Sequence, residues 1–171
     1  LGLRDPEEFG ALLDVFEKYP IRRLIIHART ASEMYGGGVH TDAFARAASR
    51  TALPLSYNGD LFTAEDIARL RAALPDTETV MLGRGLVADP GLLAGGGPEV
   101  LAAFHEALCR EYPAVFGSEN SALHRMKAIW SYMIERFPDS AARRKELIKT
   151  KRWSDFLALT RRILLQERRK G

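Results

Sequence analysis

Three short apolar runs, each ending in a polar cluster and each preceded by an amphipathic stretch, constrain this chain more than any other feature. They are Leu24, Ile25, Ile26 ending at His27; Leu53, Pro54, Leu55, Ser56, Tyr57 ending at Asn58; and Val80, Met81, Leu82 ending at Gly83. Runs that are continuous rather than alternating suit strands buried on both faces of a parallel sheet. The stretches before them place apolar residues at helical spacing: Phe9, Leu12, Leu13 and Phe16, then Phe44, Ala47 and Ala48, then Ile67, Leu70 and Leu74. The pattern predicts αβαβαβ. Thr63, followed by Glu65 and Asp66, predicts the capped start of the third helix, with acidic residues where the helix dipole favours them.

From Pro98 onward every apolar pattern has helical spacing. Val100, Leu101, Phe104 and Leu108 make one stripe; Leu123, Met126, Trp130, Met133 or Ile134, and Phe137 make a second; Phe156, Leu159, Ile163 and Leu164 make a third. Pro138 with Asp139 stops the second, and Ser154 is the expected N-cap of the last. The expected fold class is α/β followed by all-α, with domains at residues 1–97 and 98–171, divided after Gly95, Gly96 and Gly97. The aromatic and methionine side chains of the helical part read as core.

Composition narrows the function classes. At 171 residues, 46% hydrophobic and 27% charged, the chain is of ordinary globular type. It is long enough to bury roughly 70% of its unfolded surface without disulfides or a structural metal. The single cysteine, Cys109, excludes an intramolecular disulfide and reads as a buried, inert thiol; it fits a reducing compartment, and cytoplasmic is the expected location. No apolar run approaches the roughly 20 residues needed to span a bilayer, and no signal-type segment opens the chain. His27, His40, His105 and His124 are scattered without ligand spacing, so no metal site is expected. The net charge of +3 conceals a split: residues 1–97 hold 10 basic and 13 acidic residues, net −3, and residues 98–171 hold 15 and 9, net +6. A basic domain on a mildly acidic one predicts that the second part meets a polyanion.

In parallel α/β architectures ligands sit at the C-terminal ends of strands, and here each run ends in polar residues. His27, Ala28, Arg29 and Thr30 follow the first, leading into a loop with Glu33, Tyr35, Gly36, Gly37 and Gly38; Asn58, Gly59 and Asp60 follow the second; Gly83, Arg84 and Gly85 follow the third. Glycines let a backbone approach a phosphate, and an arginine supplies a forked cation for its oxygens, which makes Gly83 and Arg84 a candidate phosphate site. An imidazole at the position of His27 can be a core histidine, donate to a carbonyl of a ring ligand, or help in proton transfer.

These residues, in this order and spacing, resemble a known family. Ile26, His27, Ala28, Arg29 and Thr30 through Tyr35 and Gly36, then Tyr57, Asn58, Gly59 and Asp60, then Val80 to Leu86 with Asp89 and Pro90, look like the C-terminal half of a tRNA-dihydrouridine synthase barrel. The segments around Leu123 to Phe137 and Ala141 to Lys149 resemble, more loosely, that family's helical RNA-binding domain. The resemblance implies the last three βα units of an FMN-binding (β/α)8 TIM barrel plus a helical bundle that binds tRNA. It implies reduction of uridine to 5,6-dihydrouridine, with NADPH as the reductant. It assigns His27 to the flavin and uracil region, Asn58 with the backbone of Gly59 and Asp60 to the flavin phosphate side, Gly83 and Arg84 to the FMN phosphate, and Arg29 and Tyr35 to substrate contact at the mouth. Arg125, Lys127, Arg143, Arg144, Lys149, Lys151 and Arg152 become candidate tRNA contacts. His40 stands where that family leads one to expect an acidic residue.

The family's catalytic cysteine and flavin-binding lysine have no match in this sequence, since Lys18 lies in a helical pattern and Cys109 in the helical part. A chain that begins at Leu1 therefore reads as a piece of a longer polypeptide, inactive alone, whose incomplete barrel edge invites self-association. Two further readings stand beside this one: another FMN-dependent barrel oxidoreductase acting on a small molecule, and a noncatalytic RNA-binding module.

Overall fold

The three apolar runs form one sheet. In a computed structural model that describes residues 1–168, β1 (Leu24–His27), β2 (Leu55–Asn58) and β3 (Thr79–Met81) are parallel and lie in the order β1-β2-β3. Leu24 pairs with Leu55, Ile26 with Tyr57 and Tyr57 with Val80, so these five side chains share a face. Against that face pack Phe9 and Leu13 of α1 (Phe9–Phe16), Ala43, Phe44 and Ala47 of α2 (Thr41–Arg50), and Leu70 of α3 (Ala64–Ala73). The Phe44 ring meets Tyr57 edge-on, with centroids 5.1 Å apart.

The other face departs from expectation. It carries Ile25 and His27, Ser56 and Asn58, and Thr79 and Met81, and within residues 1–83 no helix packs on it; Ile25 is 52% exposed and Met81 48%, while Ser56 is buried. Strands buried on both faces were expected, but crossovers that join neighbouring strands in one direction leave α1, α2 and α3 on the same side. Ser56 and Thr79 hydrogen-bond through their hydroxyls across that face. The chain's first residues lie beside β1: the Leu1 nitrogen donates to the carbonyls of His27 (3.2 Å) and Arg29 (2.7 Å), and the carbonyls of Gly2 and Leu3 accept from the amides of Ala31 and Ser32.

The cap at Thr63 forms as the sequence predicts. Its hydroxyl accepts from the Asp66 amide at 3.0 Å while the Asp66 carboxylate accepts from the Thr63 amide at 2.9 Å, a reciprocal capping box.

The chain divides into two compact units, Leu1–Gly83 and Arg84–Gly171. The division falls earlier than the expected break after Gly97, because α4 (Arg84–Ala88) packs on α6 (Glu119–Met133) and Asp89 forms an ion pair with Arg136. The second unit, as far as it is described, is helical, with α5 (Pro98–Val115), α7 (Ser140–Lys149) and α8 (Trp153–Arg168) completing it. Trp130 and Met126 of α6, Leu101 of α5, Leu147 of α7 and Phe156 and Ile163 of α8 share its core; Trp130 stacks on Phe137 at 6.0 Å. Ser154 is not the cap expected of it, since α8 already begins at Trp153 and the Phe156 amide bonds to the Arg152 carbonyl. Among the described residues no helix is long and apolar enough to cross a membrane.

Candidate functional site

Parallel pairing brings the polar ends of the strands together. His27 pairs with Asn58 and Asn58 with Met81, so the last residues of the three strands stand side by side on the sheet face opposite α1, α2 and α3. The Asn58 amide nitrogen donates to the Met81 carbonyl at 2.8 Å, tying the ends of β2 and β3. The Tyr35 ring lies 6.4 Å from the His27 ring, tilted by 52°, and Tyr35 is 64% exposed.

Arg29 is placed differently from the substrate contact expected of it. Its side chain is 1% exposed, and its guanidinium forks onto Asp60, with Nη1 to Oδ1 at 2.7 Å and Nη2 to Oδ2 at 2.5 Å. Its Nη2 also donates to the Gly37 carbonyl at 2.9 Å, and Nε donates to that of Gly36 at 3.3 Å. A guanidinium held on four sides inside the unit ties the loop after β1 to the loop after β2, and does not stand at a mouth. The same contacts engage the Asp60 carboxylate.

Glu33 and His40 form a second tie that sequence reasoning missed. The Glu33 carboxylate accepts from the amide and hydroxyl of Thr30, at 2.7 and 3.0 Å, and meets His40 Nε2 at 2.7 Å. These hydrogen bonds, the Thr30 amide first, hold its pKa down at about 2. His40, unexplained in the sequence, thus pairs with a carboxylate seven residues earlier and opens α2 as its N-terminal boundary residue. A Glu seven residues before a His in a loop is too generic a signal to have revealed the pair.

The glycines differ in their reasons. A Cβ on Gly59 would lie 2.7 Å from the Tyr57 hydroxyl and 3.0 Å from Val39, so this buried position requires glycine for packing. A Cβ on Gly83 would meet nothing within 4 Å. Openness at Gly83 is what a backbone approached by a ligand needs, and Arg84 follows it directly in the chain.

In the helical unit, several candidate tRNA contacts have partners of their own. Lys127 is the clearest departure: its ammonium donates to the carbonyls of Ile148 (3.0 Å) and Thr150, and so caps the C-terminus of α7. Arg144 pairs with Glu135, Arg152 with Asp155, and Arg143 reaches Gln166 at 3.0 Å and covers the Phe137 ring. Arg125 lies 5.3 Å from the centroid of Phe116. Lys149 and Lys151 are exposed. Cys109 is half-buried beside His105, and burial pushes its thiol up to about 12, which suits the inert role expected of it. No group of three or more His, Cys, Asp or Glu suited to a metal occurs among the described residues.

The family model described as dihydrouridine synthase matches residues 5–161. A tRNA-dihydrouridine(16) synthase of Ralstonia nicotianae is 34% identical over 128 residues, covering 75% of this chain and 38% of that protein. Proteins of the same name from Cupriavidus necator and Pseudomonas putida are 42% and 39% identical over 69 residues, covering 40% of this chain and 21% of each relative. The chain thus spans well under half the length of these curated relatives.

Proposed function

The chain belongs to the dihydrouridine synthase family, and from that premise we propose that it forms part of an FMN-dependent enzyme that reduces uridine in tRNA to 5,6-dihydrouridine, at position 16 as in the names of its relatives, with NADPH as the reductant. The observation that carries the proposal is the side-by-side placement of His27, Asn58 and Met81 at the C-terminal ends of three parallel strands, on the sheet face opposite α1, α2 and α3. Strands in sequential order with helices on one face only are the arrangement of a (β/α)8 barrel, whose other strands would cover Ile25 and Met81.

The residues present fit a flavin mononucleotide. Gly83 offers backbone with open space in front of it, Arg84 a forked cation for the phosphate, Asn58 an amide, and His27 an imidazole suited to a ring carbonyl. The bound flavin supplies hydride for the C5–C6 double bond of uracil. The chain's own residues do the rest of what is assigned here: His27 and Asn58 orient the reacting rings, and Tyr35 contacts the substrate base. Gly59 and Asp60 support this edge from within, through Tyr57 and Arg29 respectively. The target base must leave the tRNA stack, which costs a few kcal/mol. Basic side chains of the helical unit, foremost Lys149, Lys151 and Arg152, offset this by holding phosphates, reading shape more than sequence. Cys109 lies in the helical unit beside His105 and is not assigned the proton for the second carbon; with no match in the sequence for the family's catalytic cysteine and flavin-binding lysine, the 171 residues alone are expected not to turn over.

A second reading, a barrel oxidoreductase for a small molecule, leaves the net charge of the helical part without a partner. Deletion of the gene tests the choice. The proposal expects dihydrouridine at position 16 to disappear from cellular tRNA and to return on complementation; tRNA with that nucleoside unchanged would contradict it.

A further inference from the structure

We infer that Arg136, through its ion pair with Asp89, is a positioning residue for Arg84: it holds the short helix α4, which Arg84 opens, on the end of α6. The task of Arg84, contact with a flavin phosphate, rests on the proposed function; the hold on α4 rests on the second unit alone. With five residues, α4 is too short to stand by its own hydrogen bonds, so its place is set by what it packs on. It packs on α6 and on the 3-10 turn Ile134–Arg136 that follows α6. The residues it buries, Gly85 and Ala88, carry little apolar surface, while Leu86 and Val87 are 38% and 39% exposed. Packing alone is therefore a weak hold.

Asp89 supplies the rest. Its amide closes the last turn of α4 on the Gly85 carbonyl at 2.8 Å, its Oδ1 accepts from the Gly91 amide at 3.0 Å, and its Oδ2 pairs with Arg136 Nη1. One carboxylate oxygen thus turns the chain after α4 and the other anchors it. The turn leaves little slack: the Gly96 amide donates to the Gly91 carbonyl at 2.8 Å, and a Cβ on Gly91 would lie 2.6 Å from the Gly96 Cα. Side-chain exposure is 16% for Asp89 and 35% for Arg136, against 61% and 72% for the surface pair of Glu111 with Arg110, so water and salt screen the first pair less. Arg136 is itself well seated, because Ile134 and Phe137 on either side of it are buried in the core of the unit. A short element is thereby tied to a fixed one. Arg84 begins the helix that Asp89 follows, so a helix that leaves its seat carries the Arg84 guanidinium with it.

The test uses the full-length gene product, freed of flavin. Arg136→Met combined with Asp89→Asn removes the pair without leaving one charge alone, and the asparagine oxygen can still accept from Gly91. Arg136→Lys keeps the charge, and Arg136→Gln takes the place of the double variant if that does not fold. Melting temperature reports whether each variant is folded. Hydrogen exchange in α4, read without flavin, is expected to speed up about tenfold in the double variant and little in Arg136→Lys. Quenching of flavin fluorescence then gives the Kd for FMN and for riboflavin, which lacks the phosphate. The FMN Kd is expected to rise about threefold in the double variant, because only the seated fraction presents Arg84, with riboflavin unchanged and Arg136→Lys close to the parent. In an Arg84→Ala background the double change should raise the FMN Kd no further. Unchanged exchange in folded variants would overturn the hold on α4. Equal losses for FMN and riboflavin, or a further loss in the Arg84→Ala background, would overturn its action through Arg84. Because exchange needs no ligand, faster exchange in variants of a parent that binds neither flavin would overturn the functional reading, and with it the task given to Arg84, and leave the hold standing.

Discussion

At the scale of single residues, His105 is governed by where its two nitrogens point. Trp130 Nε1–H donates to Nδ1 at 3.1 Å, which places the ring hydrogen on Nε2, directed at the Thr160 hydroxyl at 3.1 Å; that hydroxyl donates in turn to the Phe156 carbonyl at 2.9 Å. With the residue 2% exposed, burial, reinforced by the charge of Arg161, pushes its pKa down from 6.5 to about 4. Between those values the unfolded chain binds a proton that the folded chain refuses. Stability is therefore full above pH 6.5 and falls as the pH drops toward 4, by roughly 3 kcal/mol from this group. Urea unfolding at several pH values should show that loss in the parent, and a much flatter profile for His105→Gln in this window; equal profiles would contradict the account. Residues of this kind set the limit of what a sequence reveals. The place of His27 at a strand end was legible because it closes an apolar run, a local feature, but Arg29 pairs with Asp60, 31 residues away, and no spacing rule announces that pairing.

At the scale of elements, the strands and most helices were legible because their signals are local: a continuous apolar run, a stripe at intervals of three and four, a threonine followed by acids. Thr63 is the strongest instance, since both halves of its capping box lie within four residues. Thr63→Ala is expected to destabilise the protein by about 1 kcal/mol, and Thr63→Ser by a few tenths, read from urea midpoints; an unaffected alanine variant would show that α3 owes its start to tertiary packing. Less legible was which side of the sheet the helices cover. The runs of β1 and β3 look alike on both faces in sequence, and only the register separates Ile26 and Val80, packed inward, from Ile25 and Met81 on the open side. Lys127 misled for a related reason: a lysine on an amphipathic helix reads as a surface charge until the end of α7 is seen to lie at its ammonium.

At the scale of the whole chain, the glycine-rich run near Gly97 marked a composition change but not the boundary of the packed units, which fall at Gly83 and Arg84. The charge split survives this shift, because Arg84 and Asp89 change sides together: the first unit keeps net −3 and the second net +6. His27, Asn58 and Gly83 thus lie in the first unit, and the net positive charge, with Arg84, in the second, which under the proposed function is the part that meets the tRNA phosphates. The most direct measurement of that claim is turnover in vitro. The full-length gene product, with FMN, NADPH and unmodified tRNA, is incubated and the tRNA is digested for mass spectrometry. The account predicts that the fragment containing position 16 gains the mass of two hydrogens, and that Arg84→Ala lowers both flavin retention and this gain; tRNA that stays unreduced with flavin and reductant in excess would contradict it.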